Sequence, residues 1–299
     1  MLETKGKSHF GNNENINNEV PSVLTPFENG GETEKQQIGA SIHTLATSNG
    51  SPYQNYQMRI AYATYNLMKE MPGGGRHVAF TRILHRTKDD ELMDEIPTFR
   101  ADPLQPECDN WCEYPVSDRA NAVKQFFQAA KEKPDLIKAN WLYMIESDYV
   151  FMKPLQSPPL KADDTLGWGF PFDYIRPQQR ASEMQKLFPK EMGPISKIPG
   201  TGPAPFVMTR SAWEAVTLDW ERLTAEVESD ASLKHSLGWV REMYAFSVAL
   251  AVHNITVDLV SGQKNRFIAQ LPIDSSLGEA HAYHYTQVRS FKNGLEREK

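Results

Sequence analysis

Two carboxylates one residue apart, Glu146 and Asp148, close the apolar run Trp141-Leu142-Tyr143-Met144-Ile145. A run of this length reads as a buried central strand of a parallel sheet. The carboxyl edge of such a strand is where open α/β sheets bind ligands. If the chain stays extended, the side chains at 146 and 148 point the same way. Two oxygen donors converging there suit a hard divalent cation, Mn²⁺ or Mg²⁺, with a substrate diphosphate completing the shell. The competing reading is an acidic turn that merely ends a strand, and on the tripeptide alone it is the simpler one.

Two further residues have the type and setting for chemistry. Glu242 stands in the apolar stretch Gly238–Val252, with Ala245, Phe246 and Ala249 as its helical neighbours. A carboxylate on an apolar face must be paired, protonated or functional. The alternatives are a buried ion pair with an arginine elsewhere in the chain, or a polar contact to a substrate hydroxyl. His284 lies in His281-Ala282-Tyr283-His284-Tyr285-Thr286. In a strand it faces away from His281 and Tyr283, so one histidine of the two can join a given site. A lone histidine among aromatics is otherwise a packing residue.

The elements that must position these groups follow from periodicity. Residues 1–38 are polar and aperiodic and read as a disordered tail. Ser41–Thr47 reads as a strand, Ser48–Pro52 as a turn, and Gln54–Met71 as a helix stopped by Pro72-Gly73-Gly74-Gly75. His77–Leu84 is a second strand, which makes a βαβ opening and implies a parallel sheet. Asp118–Lys131 is a helix with Asp118 as candidate N-cap. It feeds the central strand. Leu166–Phe170 and Ala204–Met208 are short strands, and residues 172–203 read mostly as loop able to cover a site, with a helical piece over Ala181–Phe188. Ser211–Val227 is an amphipathic helix, Gly238–Val252 a buried one. Ile255–Val260 and His281–Thr286 are late strands, and residues 289–299 a C-terminal tail.

Composition excludes several classes. The net charge is −6, with no basic stripe, which gives no support for nucleic-acid binding. No apolar run approaches the ~18–20 residues of a membrane span, and the N-terminus has no apolar signal-peptide core. Cys108 and Cys112 admit a disulfide or two free thiols; zinc lacks a second Cys/His pair nearby. Asn49-Gly50-Ser51 and Asn254-Ile255-Thr256 match the N-glycosylation pattern. Asn49, in the turn after the first strand, is expected to stay unmodified.

A βαβ start, a carboxylate pair after a central strand, a buried glutamate in a later helix and a late histidine resemble the GT-A class of nucleotide-sugar glycosyltransferases. The segments Phe80–His85, Leu92–Phe99, Phe170–Pro177, Phe188–Ile198, Gly238–Phe246 and His284–Thr286 resemble, in order, the plant hydroxyproline O-arabinosyltransferases. The peptidyl-serine galactosyltransferases share a weaker version. The likeness spans about residues 40–287 and implies one α/β GT-A domain over 39–288, with a mostly parallel central sheet flanked by helices.

It also implies an activity: retaining transfer of L-arabinofuranose from a UDP-sugar to the hydroxyl of a hydroxyproline, with serine as the related acceptor. Glu146, Asp148 and His284 would hold Mn²⁺ (or Mg²⁺), and Asp148 and Glu242 would be the catalytic residues. Thr47, Arg82, Arg119 and Glu146 are expected around the donor diphosphate. Trp239 as an aromatic platform, with Phe172 and Asp173, is expected against substrate. The family's setting implies the Golgi or ER lumen and a membrane anchor absent from this chain. Ser147 stands where the plant enzymes carry proline, Gln287 follows the His-Tyr-Thr motif in place of an aromatic, and the Cys108–Cys112 loop reads as an insertion. Two other classes stay open: a metal-dependent nucleotidyltransferase or phosphohydrolase, for which no second carboxylate cluster is apparent, and a non-catalytic UDP- or glycan-binding relative.

Overall fold

The computed structural model describes residues 41–155, 163–259, 265–270, 274 and 276–285. The tails expected at 1–38 and 289–299 lie outside those residues, as do Val260 and Thr286. The first strand, β1 (Ile42–Ser48), is buried along its whole length. Helix α1 (Pro52–Lys69) starts earlier than the apolar period suggested. Ser51 caps it, its hydroxyl accepting from the Gln54 amide, and Pro52 occupies the first turn, where no amide hydrogen is needed. Met58, Ala61, Tyr65 and Met68 form its buried face. Strand β2 (His77–His85) returns parallel to β1, completing the expected βαβ unit.

Strand β3 (Thr98–Ala101) is too short to show a period and was not expected. Helix α2 (Asp118–Glu132) and strand β4 (Trp141–Ile145) fall where the sequence places them. Asp118 is the first helical residue, not the cap, because its carboxylate accepts the Leu104 amide at 2.9 Å. Next come β5 (Tyr149–Phe151), β6 (Leu166–Gly169), α3 (Ala181–Leu187), β7 (Phe206–Thr209) and α4 (Arg210–Ser229). They are followed by α5 (Ala231–Leu237), α6 (Arg241–Val252), β8 (Thr256–Leu259), β9 (Ile268–Gln270) and β10 (Ala282–His284). The expected helix over 238–252 begins only at Arg241. Gly238 has φ +61°, a left-handed value that glycine adopts without penalty, and it breaks the chain between α5 and α6.

Among the described residues the main sheet runs β3-β2-β1-β4-β7-β6-β8, with β7 antiparallel to both its neighbours and every other pair parallel. This is the α/β, mostly parallel architecture that the GT-A resemblance implies. A small second sheet, β5-β10-β9, branches from the main one immediately after Asp148. There β10 pairs antiparallel with β5, His284 opposite Tyr149, and parallel with β9, His284 opposite Gln270.

The core behind β4 is aromatic. Phe206 meets Trp213 and Phe246, and Trp220 packs on Phe246, with ring centroids 5.1–5.9 Å apart. Gly167 and Gly169 in β6 leave room for the Phe206 ring. A Cβ at 167 would lie 2.6 Å from Phe206 Cζ and 3.0 Å from Ile255 Cγ2. Phe206 is fully buried and has no space to retreat. Gly167→Ala is therefore expected to lower the unfolding free energy by about 1–3 kcal/mol, read by denaturant titration.

Candidate active site

The carboxyl ends of β1, β2 and β4 lie side by side, because these strands are parallel neighbours. A cleft of about 260 Å³ opens over them. Thr47 and Asn49 enter it from the end of β1, and Tyr53, Gln54 and Gln57 from the first turns of α1. His85 ends β2, Arg119 opens α2, Glu146, Ser147 and Asp148 follow β4, Trp239 precedes α6, and Glu242 lies in its first turn.

The acidic tripeptide is a turn, so the extended geometry that would align its carboxylates does not persist. The two nevertheless converge, because β5 folds back and brings β10 alongside. His284 Nε2 lies 3.3 Å from Glu146 Oε2 and 3.2 Å from Asp148 Oδ1. One donor atom from each residue falls within 4.8 Å of the others. Ser147 is anchored by its hydroxyl, which donates to the buried Gln57 side chain at 2.8 Å. His281 faces the other way, as strand parity requires, and stacks on His77 in the core.

These residues fit a divalent cation. Asp148 Oδ1 and His284 Nε2 are both buried and face each other at ion-pair distance, outside hydrogen-bond geometry. Two carboxylates and one imidazole form an incomplete ligand set suited to Mn²⁺ or Mg²⁺, with positions left for substrate oxygens. With no cation, the charges settle on one another. Burial opposes ionisation of both His284 and Glu146. The Asp148 and Glu146 carboxylates beside the ring outweigh burial at His284 and raise the imidazole to about 9. His284 and Arg119 together hold Glu146 down to about 2.

Arg119 is the hub of the other half. Its Nε donates to Thr47 Oγ1 at 3.0 Å, and its Nη1 to Glu146 Oε1 and Glu242 Oε1, each at 3.0 Å. Glu242 is thus ion-paired with a buried arginine, one of the alternatives its sequence left open, and it lines the cleft. Burial pushes it up to about 7 against the pull of Arg119, and its Oε2 is buried with no partner. Tyr114 locks this geometry. Its hydroxyl accepts the Glu242 amide at 3.3 Å and donates to the Trp239 carbonyl at 2.9 Å, capping α6. The Arg241 guanidinium sits 3.3 Å over its ring.

Three expected contacts fall outside the cleft. Arg82 is fully buried and turned inward, its guanidinium forked onto Asp90 at 2.5 and 3.1 Å and bonded to Asn55 and Thr98. It neutralises a buried carboxylate and holds the 86–97 connection. Phe172 is drawn into the core against Phe170 and Tyr174, and Asp173 is exposed, with its carbonyl accepting from Arg176. Trp239, 63% exposed, does line the cleft. Sequence reasoning did not single out Tyr114, Gln57 or Tyr174. Burial and the nearby charges of Glu146, Glu242 and Asp148 raise the Tyr174 phenol.

Cys108 and Cys112 form a disulfide. Inside its loop Asp109 bonds Thr87, and its carbonyl accepts from Arg86, which also reaches the Gly50 carbonyl beside the cleft.

A family model described as the hydroxyproline O-arabinosyltransferase family N-terminal domain matches residues 42–259. The chain belongs to the hydroxyproline O-arabinosyltransferase family. As such it is a glycosyltransferase. Hydroxyproline O-arabinosyltransferase 2 of Arabidopsis thaliana is 35% identical over 255 residues, 85% of this chain and 67% of that protein. Hydroxyproline O-arabinosyltransferase NOD3 of Pisum sativum is 34% identical over 256 residues, 86% of this chain and 72% of that one. Among solved structures, the galactosyltransferase LgtC in complex with donor and acceptor sugar analogues aligns over 82% of this chain and 87% of its own. Its TM-score is 0.43 and its identity 9%. No helix among the described residues is long and apolar enough to cross a membrane.

The histidine gives the site a pH signature. An imidazole raised from 6.5 to about 9 on folding stabilises the metal-free protein fully below pH 6.5 and loses that contribution as pH rises through about 9. A cation must displace the same proton. Between pH 6.5 and 9, unfolding free energy without metal is expected to fall while Mg²⁺ affinity rises. Denaturant titrations and calorimetry across that window check both.

Proposed function

We propose that this chain is a metal-dependent, retaining glycosyltransferase that moves a pentose, L-arabinofuranose, from a UDP-sugar to the hydroxyl of a peptidyl hydroxyproline. The observation that carries the reading is the convergence of Glu146, Asp148 and His284 beside the Arg119–Glu242 pair in one cleft at the carboxyl edge of the sheet. The relatives' names supply the sugar and the acceptor class.

The cleft lining holds three carboxylates against one arginine, and burial together with the Arg119 charge keeps its histidine, His85, neutral, down to about 3. A diphosphate entering alone meets the Glu146 and Asp148 carboxylates at the end of β4. Glu146, Asp148 and His284 would hold Mn²⁺ or Mg²⁺, which when bound neutralises the diphosphate and makes it a better leaving group. Arg119 keeps the Glu146 carboxylate oriented and the end of β1 closed through Thr47. Trp239 offers a broad apolar face at the mouth, suited to a sugar or a proline ring.

The sugar–diphosphate oxygen bond breaks, the acceptor oxygen bonds to the same carbon from the same face, and its proton passes to the departing diphosphate oxygen. Glu242, with a free buried oxygen, hydrogen-bonds a hydroxyl of sugar or acceptor and stabilises positive charge developing at the sugar carbon. The disulfide supports assembly in an oxidising compartment such as the Golgi or ER lumen.

Calorimetry with UDP is the direct test. Binding is expected with Mn²⁺, to be lost with chelator, and to be lost in Asp148→Asn; binding indifferent to both overturns the metal reading. Mass spectrometry of hydroxyproline peptides should then show a pentose adduct, whereas a hexose on serine points to the galactosyltransferase relatives. Glu242→Gln is expected to cut turnover at saturating acceptor by at least about 100-fold. Near-full turnover would remove its role.

A further inference from the structure

His284 has two ring nitrogens, and the cation reading uses only Nε2. The other, Nδ1, lies 2.8 Å from the side-chain amide nitrogen of Gln270. The contact is built into the sheet, because Gln270 and His284 are register partners on β9 and β10. Gln270 is itself fixed. Its backbone N–H donates to Asp274 Oδ2 at 2.8 Å, and its backbone carbonyl accepts the Asp274 N–H at 2.9 Å. From β5, Tyr149 packs its ring edge against the imidazole, with centroids 4.9 Å apart. The ring is thus held between an aromatic edge and an amide.

An imidazole that offers its Nε2 lone pair to a cation carries its proton on Nδ1, and that proton needs an acceptor. The two ends of a glutamine amide are nearly isosteric, and a half-turn about its last torsion presents Oε1 to Nδ1 in place of the nitrogen. We infer that Gln270 is a positioning residue for the cation site: its amide oxygen accepts Nδ1–H of His284, fixing the tautomer and aiming Nε2 between Glu146 and Asp148. This rests on the reading of Glu146, Asp148 and His284 as ligands. What the place requires is an acceptor for Nδ1–H, which an amide oxygen or a carboxylate oxygen can supply.

The test compares Mg²⁺ affinity, in the presence of UDP, for the wild type, Gln270→Leu, Gln270→Glu and Asp148→Asn by calorimetry. Circular dichroism confirms each fold. Gln270→Leu keeps the bulk and loses the acceptor; it is expected to bind Mg²⁺ about 10–100-fold more weakly. Gln270→Glu retains an acceptor and is expected to bind at least as well as wild type to within about threefold. A second readout needs no variant: ¹⁵N histidine spectra of the Mg²⁺-saturated wild type should show His284 protonated at Nδ1.

If Asp148→Asn abolishes binding but folded Gln270→Leu binds like wild type, the Gln270 assignment falls alone. A spectrum showing Nδ1 unprotonated has the same meaning. Should the wild type bind no Mg²⁺, or Asp148→Asn bind it unchanged, the cation site itself fails and Gln270 with it.

Discussion

A guanidinium buried among carboxylates governs this molecule. Removing a charge from water costs several kcal/mol unless partners replace the lost solvation. Arg119 answers that demand through Nε and Nη1, with Thr47, Glu146 and Glu242, which belong to β1, the turn after β4, and α6, while its Nη2 stays buried without a hydrogen bond. The helix that carries Arg119 must therefore dock with its first turn against the open edge of the sheet, and α6 must dock with its first turn facing it. Tyr114 reinforces the second constraint by capping α6 from the segment just before α2. The cleft is what remains between elements that a single cation draws together.

The same arrangement separates two electrostatic neighbourhoods a few ångströms apart. On one side Glu146 is held ionised by His284 and Arg119. On the other Glu242, deeper and sharing the same arginine, is pushed by burial toward neutrality. Two carboxylates of similar intrinsic acidity thereby come to hold their protons with different strength. Their shared partner couples them, since any charge that arrives at Glu146 changes what Arg119 offers Glu242.

Much of this was legible in the sequence where a signal was long or constrained by parity. The run into β4 follows from its unbroken apolar length and the βαβ opening from its periods, and the structure shows both; alternation put His281 and His284 on opposite faces, and the family resemblance singled out His284. What the sequence obscured was short or three-dimensional. β3 and β9 span four and three residues, too few for a period. The helix α5 did carry a signal, an Asp230 whose carboxylate accepts the amides of Ser232 and Leu233, but it lies between two stronger helices. Arg82 and Arg119 look alike from the sequence: both stand near the ends of elements that border the site. Only the position of Asp90 decides that Arg82 turns inward. Glu146 and Asp148 converge through a turn and a second sheet, which no alternation rule contains.

That second sheet has a consequence for how the enzyme comes into being on the ribosome. Two residues of the candidate metal site follow β4, but the third arrives on β10, the last described strand, after every strand of the main sheet has been made. A nascent chain halted before β10 carries the cleft, the arginine hub and two carboxylates, with β5 left unpaired on one side. The candidate metal site is thus complete only once β10 has paired with β5 and β9, whatever the order in which the rest of the sheet forms.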